Sequence, residues 1–142
     1  MREINNLSFS EGIILWLIRN IDNFLLKKSP GIEESLLKIF NKTDFSNVIK
    51  SIDNITKSYN STTLNVFKTS HLVSKDEEIL ISLILLKCNN KNKDVDNLIN
   101  NMTLRNKLNF KKSIDQISNL LVNSHNSFIK KEVCKKYLIS NK

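Results

Sequence analysis

Two histidines, two cysteines and a scatter of carboxylates are where metal, nucleophilic or acid–base chemistry would first be sought in this chain. Neither His71 nor His125 lies four residues from another potential ligand, so neither completes the helical pair a metal site uses. Cys88 and Cys134 are too few for a disulfide framework or a four-cysteine zinc site. Lys130, Lys131, Lys135 and Lys136 surround Cys134 and would favour its thiolate, yet no residue is spaced to act as its base. Asp53, Asp94, Asp96 and Asp115 are placed like helix caps and solvated faces, not like paired catalytic carboxylates. Only two Gly and one Pro are present, which argues against Walker loops, dinucleotide-binding turns and β-sandwich corners. The expectation is a binding protein and not an enzyme, with no metal and no cofactor.

Every stretch that could position a binding surface reads as helix. From Ser10 to Lys28, Ile13, Ile14, Leu17, Ile18, Ile21 and Leu25 recur at helical spacing, with Trp16 and Phe24 widening the face. Ser29, Pro30 and Gly31 break that run, and a short helix bearing Ile32, Leu36, Ile39 and Phe40 follows. Thr43 or Asp44 caps the next, in which Phe45, Val48, Ile49, Ile52, Ile55 and Tyr59 form one narrow stripe. Leu64, Phe67 and His71 suggest a weaker helix. Ser74, Lys75, Asp76 and Glu77 then spell a capping box. It opens the run Ile79 to Leu86, which is apolar all round, so the helix must be enclosed by others. Asp94 is expected to cap a helix with Val95, Leu98, Ile99 and Met102. Phe110, Ile114, Ile117 and Leu121 mark another, and Phe128, Ile129, Val133 and Tyr137 a last, basic one. The predicted fold is all-α: seven or eight helices around a central hydrophobic helix, in one domain spanning residues 1–142.

The formal charge is +8 over 142 residues, but lysine carries nearly all of it. Arg2, Arg19 and Arg105 are the only arginines and lie far apart, whereas nucleic-acid readers concentrate Arg for bidentate contacts. Alanine is absent and asparagine abundant, the bias of an A+T-rich genome. No nucleic-acid partner is expected, although a basic helical nucleic-acid-binding module stays an alternative. The apolar run Ile13 to Ile18 is too short for a secretory signal or a membrane span. An intracellular protein with reduced thiols is expected. The basic segment 130–142 would suit a position just before a membrane anchor lying beyond Lys142.

Three sequence features resemble the Bcl-2 family, in particular its poxviral apoptosis inhibitors. One is the serine-capped apolar helix from Ser74 to Leu86. Another is the stretch Phe110, Lys111, Lys112, Ser113, Ile114, Asp115, Gln116, Ile117. The third is the pair Phe128–Lys131 and Cys134–Tyr137. The likeness spans roughly residues 45 to 138. The Asn-Trp-Gly-Arg signature of cellular members is absent, as is the Leu-x-x-x-Gly-Asp motif. The resemblance implies a Bcl-2-like bundle that sequesters the BH3 helices of host pro-apoptotic proteins (Bim, Bid, Bak, Bax) in a hydrophobic groove. Ile79 and Leu83 would floor that groove, and Ile49, Ile52, Ile55, Leu64, Phe67, Leu72 and Val73 would wall it. Lys75 would meet the ligand's aspartate, as a point charge in place of the usual arginine. A host-cell cytoplasmic location is implied, at the mitochondrial outer membrane if an anchor follows. A homodimer is compatible with it. The alternative within the same fold is an inhibitor of NF-κB and innate immune signalling, its cleft filled by its own side chains.

Overall fold

Apolar residues at helical spacing, closed by polar caps, form helices over most of the described part of the chain. That part comprises residues 1–21, 31–59, 66–67 and 69–124 of a computed structural model. It holds six α-helices: α1 (Phe9–Arg19), α2 (Ile32–Leu37), α3 (Phe45–Ser58), α4 (Lys75–Cys88), α5 (Asn92–Asn100) and α6 (Lys107–Val122). Single 3-10 turns cover Ile4–Asn6 and Lys42–Asp44. Extended pairing among the described residues is limited to the isolated bridges Glu3–Leu72 and Tyr59–Leu104. The fold is all-α.

The central helix forms as its sequence demands. The Ser74 hydroxyl accepts from the Glu77 amide at 3.1 Å, and the Glu77 carboxylate accepts from the Ser74 amide at 2.9 Å. Both donors would otherwise be orphaned at the helix start. Leu80, Ile81, Leu83, Ile84, Leu85 and Leu86 are all buried, because α4 packs on α1, α5 and α6 together. The helix stops at Asn90, whose φ of 57° puts it in the left-handed region. Asn90 N–H donates to the Lys87 carbonyl and Lys91 N–H to that of Leu86, the bonding of a Schellman end. In a chain with two glycines, asparagine takes the glycine's place at this stop. The most extensive helix pair is α3 on α6, and it brings the Tyr59 ring to Phe110 at 6.3 Å between ring centres, tilted by 58°. The buried apolar side chains of all six helices join in one cluster.

Several expectations need correction. Six helices are described, not seven or eight; the one expected around Phe128 and Tyr137 lies outside the described residues, as do Phe24, Leu25, Lys27, Lys28, Ser29 and Pro30. No helix forms at residues 66–67 or 69–73; the carbonyls of Ser70 and Leu72 go to Arg19 and that of His71 to the Ile4 amide instead. The N-cap of α1 is Ser8, with its own capping box to Glu11. Asp44 occupies the cap position of α3 without a side-chain cap bond. Lys91, not Asp94, precedes the first residue of α5.

Candidate functional site

The ten residues that the family resemblance assigns to a groove fall into distinct settings. Ile52, Ile55, Val73 and Leu83 are core residues, each no more than 1% exposed. Ile49, Phe67, Leu72 and Ile79 are half-buried, and Lys75 is exposed. Leu64 lies outside the described residues. Lys75 makes no ion pair among the described residues, whereas its neighbours Asp76, Glu77 and Glu78 all do or hydrogen-bond: Tyr59 donates its hydroxyl to Asp76 at 2.8 Å. Burial, and secondarily that bond, push the Tyr59 phenol well above its ordinary range.

The most connected polar constellation sits where α1 meets the start of α4. Arg19, the last residue of α1, reaches Glu77 with two bonds, from Nε at 2.8 Å and Nη2 at 3.0 Å. Its side chain is 8% exposed and that of Glu77 is fully buried. The same guanidinium donates to the carbonyl oxygens of Ser70 at 2.6 Å and Leu72 at 2.7 Å. A planar fork with several donors can satisfy a carboxylate and two carbonyls at once, which an ammonium cannot do in fixed geometry. Segment 70–73 is thereby held against the end of α1. Removing Arg19 would leave a buried carboxylate and two carbonyls without their donor.

A second arginine closes the other side. Arg2 donates to Glu11 at 2.7 and 3.2 Å and to Glu78 at 2.8 and 3.0 Å. Burial works against the Arg2 charge, but its bonds to Glu11 and Glu78 outweigh this and raise its pKa. Glu11 has a 1% exposed side chain and also caps α1 by accepting from the Ser8 amide at 2.9 Å. The backbone around Arg2 pairs with the extended strip: Val73 N–H donates to the Arg2 carbonyl and Ile4 N–H to that of His71, both at 2.8 Å.

Beside this constellation α1 turns apolar side chains outward. Phe9 is 56% exposed, and Gly12 leaves a notch between Phe9 and Trp16 in which an added Cβ would meet nothing within 4 Å among the described residues. Two hollows flank the notch. One of about 260 Å³ is lined by Phe9, Gly12, Ile13, Trp16 and Ile39. The other, about 310 Å³, is lined by Ile4, Gly12, Leu15, Trp16, Arg19 and Asn20. Apolar hollows beside an aromatic side chain are features of recognition surfaces.

The remaining reactive groups are occupied structurally. Cys88 is buried, and burial pushes its thiol up to about 12, so it is a packed thiol and not a nucleophile. Asp53 pairs with Lys57, Asp96 with Lys111 and Asp115 with Lys87. His71 is exposed; His125 and Cys134 lie outside the described residues. Among the described residues no three His, Cys, Asp or Glu side chains are placed to hold a metal ion. No helix there is long and apolar enough to cross a membrane.

Sequence reasoning missed Arg2, Glu11 and Arg19 as a group. The available signal was the repeated Ser-x-x-Glu at Ser8–Glu11 and Ser74–Glu77. No protein-family model, curated protein or solved structure matches this chain.

Proposed function

We propose that this chain is a non-enzymatic, Bcl-2-like inhibitor of host apoptosis that captures the BH3 helices of pro-apoptotic proteins such as Bim, Bid, Bak and Bax. The observation that carries the reading is the capped, apolar central helix α4, enclosed by α1, α5 and α6. Ile49, Phe67, Leu72 and Ile79 remain half-buried and are the residues that can meet a ligand helix without first unpacking the core. Lys75 at the start of α4 is the exposed cation that would face the ligand's aspartate. The host cytoplasm is the compartment this activity needs, with the mitochondrial outer membrane as its site of action.

Calorimetric titration with the four BH3 peptides tests this. Nanomolar capture, roughly −11 to −12 kcal/mol, is expected for at least one peptide. Lys75→Glu should then weaken it by about 1 kcal/mol, the size of a partly exposed ion pair. No heat at tens of micromolar peptide overturns the reading.

A second reading is favoured by one observation: Ile52, Ile55, Val73 and Leu83 are closed into the core. In that reading the same fold acts without an open groove, on adaptors of NF-κB and innate immune signalling. Absence of BH3 binding, with suppression of an NF-κB reporter, would select it.

A further inference from the structure

The first residues of the chain lie along segment 70–73 as a ligand lies in a site. Glu3 and Leu72 face each other in an antiparallel bridge, flanked by the two main-chain bonds from Ile4 to His71 and from Val73 to Arg2. Arg2 drops into the acidic pair Glu11 and Glu78. Two residues on, Ile4 contributes a wall to the 310 Å³ hollow beside Leu15 and Trp16. The backbone is extended at Glu3 and turns into the 3-10 turn at Ile4, so a cation and an aliphatic side chain flank the bridged residue; strand-addition sites obtain specificity from alternate side chains in this way, while main-chain bonds supply affinity.

The receiving edge is also held from the side away from its occupant. Arg19 holds the carbonyls of Ser70 and Leu72, and the Ser70 hydroxyl accepts from the Leu72 amide at 3.0 Å. The carbonyl of His71 and the amide of Val73 point the other way, toward the first residues. An edge fixed from behind in this manner does not have to be ordered when a strand arrives, which lowers the cost of binding.

We infer that segment 70–73, the Glu11–Glu78 pair and the hollow beside Trp16 together form a binding site for an extended peptide of the pattern basic–x–aliphatic. The chain's own Arg2, Glu3 and Ile4 fill it in cis, and a partner's extended segment of that pattern takes their place in trans. This site shares Leu72 and Val73 with the groove assigned above, but it uses their main chain, and its test involves no BH3 peptide.

The full-length double variant Arg2→Ala, Ile4→Ala empties the site without removing backbone. Trp16 is the only tryptophan and lines the hollow, so its emission reports occupancy. A free peptide of residues 1–7 should bind the variant saturably, and bind the unsubstituted chain roughly tenfold or more weakly, because the cis strand competes. The same peptide with Arg2→Glu should give no change. A variant that keeps its helical circular dichroism yet shows no saturable change overturns the proposal. Dimerisation of the unsubstituted chain that the free peptide disperses would assign the site to a second copy's first residues, and overturns the foreign-peptide occupant. A second measurement needs no variant. In the unsubstituted chain the Ile4 and Val73 amides should exchange with solvent at least about a hundredfold faster than those of Leu83 and Ile84, through local release of the strand. Equal protection would mean the strand leaves only on global unfolding, and overturns displacement.

Discussion

Helices α1 and α4 start alike and end in opposite surroundings. Each opens with a Ser-x-x-Glu capping box whose glutamate is buried and bound by an arginine from elsewhere in the chain. Each then runs through consecutive aliphatic residues. Yet α4 is covered by three helices, whereas α1 leaves Phe9 exposed and Trp16 half-buried beside an open notch at Gly12. An apolar helix with an uncovered side is a helix with surface to offer. Of the two, α4 is the enclosed core helix and α1 the one with an apolar side open among the described residues, and Arg19 and Glu77 join them.

Breaking that join should have the largest effect. Arg19→Leu leaves the Glu77 carboxylate buried without its cation and is expected to cost about 3–5 kcal/mol, read as a lowered urea midpoint. Adding Glu77→Gln, which keeps an acceptor for the Ser74 amide, should recover part of the loss. If Arg19→Leu alone is neutral, α1 and α4 are not coupled through this pair.

The enclosed end of α4 can be examined by pH. The Cys88 thiol is pushed up to about 12 by burial, while an unfolded thiol titrates near ~8.5. Between those values the folded state keeps a proton that the unfolded state has lost. Its contribution is therefore complete below ~8.5 and is lost as pH rises toward 12, by up to about 1.4 kcal/mol per pH unit. Urea midpoints at pH 7.5 and pH 10 should diverge, and Cys88→Ala should narrow the gap. A gap unchanged in Cys88→Ala would mean the thiol is not enclosed. The Tyr59 phenol, also raised, contributes with the same sign.

The smallest effect should come from the open side of α1. Gly12→Ala places a methyl group in free space within a helix and is expected to stabilise by about 0.5–1 kcal/mol. Destabilisation would show that this face is covered, and the contrast with α4 would disappear.

The helices themselves were legible because helix signals are local. The capping box at Ser74 and Glu77, the stripe from Val48 to Ile55 and the pattern from Phe110 to Leu121 each lie within a few turns of chain, and each helix formed where those signals stand. The strip before α4 misled for the same reason: the spacing of Phe67 and His71 fits a helix. Its carbonyls are claimed by Arg19, whose partner Glu77 is 58 positions away, and by the paired first residues, whose Arg2 meets Glu78 across 76 positions. Long-range capture of a backbone leaves no period in the sequence.

Composition and pattern by themselves determined an all-helical chain with a buried, serine-capped axis, since apolar periodicity and caps act over single turns. Only the tertiary structure decided which apolar faces stay open and which arginine meets which buried glutamate. Those outcomes depend on how distant helices approach one another, and on a buried charge finding its counter-charge wherever the fold brings one.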